Sequence, residues 1–236
     1  MLIIKFGFSI FIAISVFALL AFVLSFFIID RRGGKFIDGL KEVIIKDRVF
    51  KKEITDFLHK TELIKFSIPL FFISFCAEFL IMSLSLFLNE LGADFVLIGL
   101  IFSLFHIPVI FESYFSVVAD KKGKKPIMLK GLIFGSLFFL LLFFTENIVF
   151  LFSICFFLSL CFSAIIPALQ GKITELMPKK SIGELTGVVR SVGLFGNGLG
   201  PIVVGIISDI FGLRFAFLLG SLIFLFLTAF TLLLKF

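Results

Sequence analysis

Ser116-Val-Val-Ala-Asp-Lys-Lys-Gly-Lys-Lys-Pro126 is the stretch on which the fold turns. It closes one apolar run, Phe95 to Ala119, and is followed at once by another, Ile127 to Thr145. Two membrane spans joined by so few residues must lie side by side and antiparallel. Lys121, Lys122, Lys124 and Lys125 crowd the joint, and basic connections of this kind face the cytoplasm. Gly123 supplies the backbone freedom that a tight turn needs, and Pro126 suits the first turn of the helix that follows.

Composition sets the class of the chain. Of its 236 residues 60% are hydrophobic, only 16% are charged, and 39 are Phe, which excludes a soluble globule. A helix crossing the bilayer needs about 20 apolar residues. Seven runs meet that measure: about 4–29, 66–88, 95–118, 127–145, 148–169, 187–207 and 215–234. The first exceeds the roughly 7–15 apolar residues of a signal peptide, has no basic leader and shows no small-residue cleavage site, so it reads as a span. Cys76, Cys155 and Cys161 all fall inside spans and read as small buried hydrophobes, with neither disulfide nor metal site expected. The excess of Phe and Ile, with no Trp, reads as compositional bias and carries no binding box.

The basic residues orient the spans. If the seven runs alternate, 20 of the 22 Lys and Arg fall on one side, with only Lys5 and Arg214 opposite. The positive-inside rule then predicts a multi-pass protein of the cell membrane with its N-terminus outside and its C-terminus cytoplasmic. The net charge of +6 is on this reading a topology signal and an attraction to anionic membrane lipid, with no nucleic-acid partner expected.

Residues 1–29 form the first span. Residues 30–65 form a charged linker in which Phe36, Leu40, Val43, Ile44, Phe50, Ile54, Phe57 and Leu58 fall near helical spacing. That pattern predicts an amphipathic helix lying on the cytoplasmic membrane face. Residues 66–236 hold six spans with short connections, and the fold class is an all-α polytopic helical bundle.

Three features carry a family resemblance. In the quoted turn, Asp120, Lys121, Gly123, Lys124 and Lys125 match a short loop signature, Gly-x-x-x-Asp-Arg/Lys-x-Gly-Arg/Lys-Arg/Lys, with Ser116 standing where its first Gly is expected. Gly193, Gly196, Gly198, Gly200, Pro201 and Gly205 make a glycine-rich span with a Gly-Pro step. Leu91-Gly92-Ala93 with Gly99, and Ile166-Pro167-Ala168-Leu169-Gln170 through Gly187, supply further matching stretches in order. Together these resemble the major facilitator superfamily, and specifically the second half of a twelve-span transporter beginning at its sixth helix. The resemblance implies that residues 30–65 correspond to the family's central cytoplasmic loop. It also implies that Asp120 belongs to a charge cluster gating one access state, with Lys121, Glu175 and Arg190 as candidate partners.

The glycines have a physical reading of their own. Helices in lipid feel little hydrophobic drive towards one another, so close backbone approach holds a bundle together. Gly193, Gly196, Gly200 and Gly205 are expected to pack or flex the helix with Pro201, which removes a backbone donor and can bend it. Gly131 and Gly135 lie one turn apart and are expected to pack in the same way.

Titratable and polar groups inside spans are the site candidates. Glu78 sits near mid-span, where a carboxylate costs on the order of 3 kcal/mol, and reads as a proton-coupling site or a counter-charge for a cationic substrate, against an inward-facing acid protonated or hydrogen-bonded for packing. Glu112 and His106 share the third span about Pro108. On a regular helix they are turned roughly 240° apart and cannot form one relay. His106 reads as a hydrogen-bonded bundle histidine, whereas Glu112 and Asn197 each read as path-lining or as helix–helix contacts.

No Walker loop, metal cluster or Ser/His/Asp arrangement is present in the sequence, so no enzyme and no cofactor are expected. A retinal protein would need a lysine inside the last span, and none lies between Phe215 and Leu234. The expected function is secondary transport, ion-coupled efflux or exchange of a small molecule whose identity the residues do not select. The chain reads as a truncated or split-gene half, and the expected partner that would complete the cavity is a separately encoded N-terminal half or a second copy. The alternative is a non-transporting membrane scaffold or transporter remnant.

Overall fold

A computed structural model describes residues 16–20, 54–179, 181–234 and 236. The chain divides into two units, Met1–Lys52 and Glu53–Phe236. Of the first unit only residues 16–20, which are helical, are described; most of the expected amphipathic helix of the linker likewise lies outside the described residues.

The second unit contains six apolar helices long enough to cross a membrane. They are α1 (Thr61–Glu90), a three-part span made of α2 (Phe95–His106), a 3-10 segment (Ile107–Phe111) and α3 (Glu112–Lys122), then α4 (Lys124–Phe144), α5 (Ile148–Glu175), α6 (Ile182–Phe211) and α7 (Leu213–Leu233). All the described elements are helical, so the expected all-α polytopic bundle is observed. Most helices run past the apolar stretch that marks them. α1 begins at Thr61, inside the segment read as linker, because hydropathy marks only the hydrocarbon-buried part while helical hydrogen bonding continues into the headgroup region.

Short polar connections set the helix ends. The Asp94 carboxylate accepts from the Leu97 amide at 2.8 Å, and the Asn147 side chain accepts from Val149 at 2.9 Å, capping α2 and α5. Gly123 adopts a φ of +92° between α3 and α4, a region costly for any residue with a Cβ. The helices alternate in direction. The start of α4 meets the ends of α5 and α7 through Lys124–Glu175 and through Lys125, which donates to the Leu232 and Leu234 carbonyls at 2.9 and 2.6 Å. At the opposite end Arg214 of α7 pairs with Glu146 and lies 5.8 Å over the Phe87 ring of α1. We refer to the end carrying the 120–126 turn as the basic end.

Pro108 explains the broken second span. It has no N–H, so the carbonyl of Leu104 loses its ordinary helical donor, and the chain tightens into the 3-10 segment. The Ser159 hydroxyl of α5 donates to the Phe105 carbonyl beside the break. Residues in 3-10 geometry advance about 120° each, against 100° in an α-helix. The rotation expected between His106 and Glu112 on a regular helix therefore does not apply.

α1 and α5 lie at the centre, with half or more of their apolar stretches buried. α1 packs most extensively on α6, where Gly196 and Gly200 bring the two backbones together: a Cβ at Gly200 would stand 2.7 Å from the Phe75 carbonyl oxygen. α4 packs on α5 and α7. Gly131 meets Ile165 of α5, while Gly135 meets the Phe224 ring of α7, so these two neighbours serve different interfaces. Gly205 has nothing within 4 Å, and the packing expected of it is not made within this bundle. α6 continues through Pro201 without a break.

Candidate functional site

A cleft of about 370 Å³ opens between α1, α5 and α6. It follows from the α6 sequence. Arg190, Gly193 and Asn197 recur at helical spacing and share one face, and Gly193 leaves a gap where a side chain would stand against Ser74 of α1. Gln170 and Thr174 of α5 and Thr186 at the start of α6 complete a wall of uncharged polar groups. The Thr174 and Thr186 hydroxyls donate to carbonyls of their own helices, those of Gln170 at 2.9 Å and Ile182 at 2.6 Å. Their backbone bonds leave oxygen lone pairs free to accept. Arg190 is the one charged residue in the lining, and it is exposed.

The sequence candidates distribute unevenly around this cleft. Asn197 and Gly193 line it. Glu78 is half-buried on α1 one turn beyond Ser74, outside the lining, with its backbone beside Gly200. No hydrogen bond or ion pair from the described residues reaches its carboxylate. Glu112 is half-buried at the first position of α3, directly after the 3-10 segment, and is likewise unpaired among the described residues. His106 is exposed, with Nδ1 2.8 Å from the Phe102 carbonyl of its own helix. Glu78, Glu112 and His106 are not brought together with the cleft residues.

A charge cluster occupies the basic end. Lys124 bridges Asp120 at 2.9 Å and Glu175 at 2.5 Å, joining the end of α3, the start of α4 and the end of α5. Lys172 stands 3.9 Å from Glu175. Asp120 thus pairs with Lys124, four residues on across the Gly123 turn, whereas Lys121 is exposed. Glu175 meets Asp120 only through Lys124, and Arg190 lines the cleft. The Asp120 and Glu175 side chains are 63% and 54% exposed, so each pair is worth about 0.2–1 kcal/mol and can be broken by a modest competing contact.

Two features escaped sequence reading. Ser74 and Gln170 look like ordinary small or helix-end polar residues, and only the i, i+4 spacing of Ser74 and Glu78 hinted at a polar face. Lys125 capping the last carbonyls of α7 has no signal at all, since its partners are more than a hundred residues distant in the chain.

Comparison with known proteins places this architecture. The family model of the Major Facilitator Superfamily matches residues 67–236, which covers all six spans of the second unit but the first turns of α1. This chain belongs to the Major Facilitator Superfamily. Within that superfamily it is 27% identical over 135 residues to an uncharacterized MFS-type transporter of Methanocaldococcus jannaschii, an overlap covering 57% of this chain and 35% of the relative. It is 31% identical over 117 residues to the multi-drug resistance efflux pump PmrA of Streptococcus pneumoniae, covering 49% of this chain and 29% of that protein. It is also 31% identical over 129 residues to the multidrug resistance protein MdtG of a Rahnella species, covering 54% and 31%. The aligned part of the chain thus spans only 29–35% of the length of these curated relatives. The family comprises transporters, in keeping with the expectation that the chain is not an enzyme.

Proposed function

We propose that this chain supplies one six-helix bundle of a secondary transporter that moves a small molecule by ion-coupled efflux or exchange. The observation that carries this is the polar cleft between α1, α5 and α6, an opening lined by Ser74, Gln170, Arg190 and Asn197 inside an otherwise apolar bundle. Binding sites near the membrane midplane at the junction of two repeats are the general design of such folds. The names of the efflux relatives favour drug-like substrates. On this reading Glu78 carries the coupling proton, with Glu112 a second acid near the path, and the basic end faces the cytoplasm of a cell-membrane protein whose N-terminus is outside.

A second bundle is required to close the cleft. Only 17% of the apolar stretch is buried in the span Phe95–Lys122 and in α6, against 50% in α1 and 56% in α5. Those two open spans are where a separately encoded N-terminal half, or a second copy, would seat. The Asp120–Lys124–Glu175 cluster then holds one access state.

The test is accumulation of a fluorescent lipophilic drug in vesicles carrying the full chain, alone and with a co-expressed N-terminal half, under an imposed proton gradient. Gradient-driven accumulation that Glu78→Gln abolishes supports the reading. Asp120→Asn is expected to shift inside-versus-outside labelling of cysteine probes. A chain that stays monomeric and moves no solute in either setting is a membrane scaffold instead.

A further inference from the structure

A second opening lies apart from the cleft and shares no residue with it. It is a slot of about 320 Å³ on the outer surface of the bundle, between α3, α4 and α5. Its floor is made of small residues, Gly131, Cys161 and Ala164, which leave a trough where two helices meet. Phe115 and the half-exposed Phe134 form its walls. Phe138 and Phe157 close the far end, stacked with ring centres 5.7 Å apart and planes 13° from parallel. At the other end, towards the basic end of the bundle, stands Lys130, the only charged group in the lining.

The dimensions suit one kind of occupant. Lys130 lies six residues into α4, about 9 Å from its start at 1.5 Å per residue, and a lysine at that depth reaches outward to the headgroup level. From Lys130 to Phe138 the slot runs about 12 Å along the helix, most of one leaflet of a bilayer core about 30 Å thick. The slot is therefore as long as the buried part of an acyl chain, is apolar along that length, and carries a cation where the phosphate would stand.

The geometry points to a binding site for one anionic phospholipid, its acyl chain in the slot between α4 and α5 and its phosphate on Lys130. Lipid tails are as apolar as the slot, so transferring a chain from bilayer to slot gains little by itself. Discrimination must come from the headgroup, and one basic residue near the membrane surface is worth roughly a fivefold preference.

The chain contains no tryptophan, so Phe134→Trp places a single fluorescent reporter on the slot wall. In phosphatidylcholine vesicles holding the full chain, bromine-labelled phosphatidylglycerol is expected to quench that reporter roughly fivefold more effectively than bromine-labelled phosphatidylcholine at the same mole fraction. Adding Lys130→Gln should merge the two quenching curves, whereas Lys121→Gln, which removes an exposed lysine of the turn, should leave them apart. Equal quenching by the two lipids overturns the proposal, as would a protein helix filling the slot and shielding the reporter from both. A preference that survives Lys130→Gln, or that Lys121→Gln removes equally well, also overturns it.

Discussion

The α1–α6 and α4–α7 interfaces both depend on glycine, yet for opposite reasons. Between α1 and α6 the missing side chains of Gly196 and Gly200 let backbone touch backbone, against Phe71, Phe75 and Phe79. Between α4 and α7 the glycines are sockets for rings. Phe224 sits over Gly135 and Phe139 over Gly220, each ring within 2.5 Å of where a Cβ would be, and the two rings meet at 5.2 Å. The first interface cannot yield, because a peptide plane has nowhere to go. The second can, because a ring can turn or be replaced.

That difference is open to direct challenge. The largest effect is expected from Gly200→Ala, about 1–3 kcal/mol of destabilisation read by thermal unfolding in detergent, with no rescue from truncating Phe75 or Phe79. A side-chain truncation that restored stability would show that the contact is not between backbones. Gly135→Ala should cost less, about 1 kcal/mol, and here Phe224→Leu should recover much of the loss, giving a non-additive double-mutant cycle. Strict additivity would erase the distinction between the two interfaces.

Polar contacts rank below packing. The Ser221 hydroxyl donates to the Ser136 carbonyl at 3.0 Å and lies 3.2 Å from the Ser136 hydroxyl, within the ring-in-socket interface. Ser221→Ala is expected to cost about 0.6 kcal/mol, the usual worth of an interhelical hydrogen bond in a membrane protein. Smallest is the Arg214–Glu146 pair, half-exposed at the end opposite the basic turn. Glu146→Gln should cost about 0.2–0.5 kcal/mol and lose its effect in high salt; a larger, salt-independent loss would make that end a structural clamp.

Much of the bundle was legible in the sequence because membrane spans announce themselves by length and apolarity. Each of the six runs after the linker corresponds to an observed span, displaced mainly at the ends, where polar residues such as Thr61 and Glu90 remain helical. The candidate site was legible only in part. Asn197 was singled out from its place in a glycine-rich helix, but Gly193 was read only as a packing or flexing glycine, Arg190 as a partner for Asp120, and Gln170 was not singled out for the site. A one-dimensional pattern shows that a helix has a polar face and does not show which faces converge.

The lysines of the quoted turn divide sequence from structure most clearly. Sequence alone determined that this is a membrane bundle of alternating spans, because the bilayer requires long apolar helices and the basic residues gather at one end. It also determined where the chain turns between α3 and α4, through Gly123 and Pro126. Tertiary structure alone decided that Lys124 binds Asp120 and Glu175, that Lys125 caps α7, and that Lys121 is left to solvent. Adjacent residues on a helix point about 100° apart, so four chemically equal lysines acquire different partners only when neighbouring helices take their places.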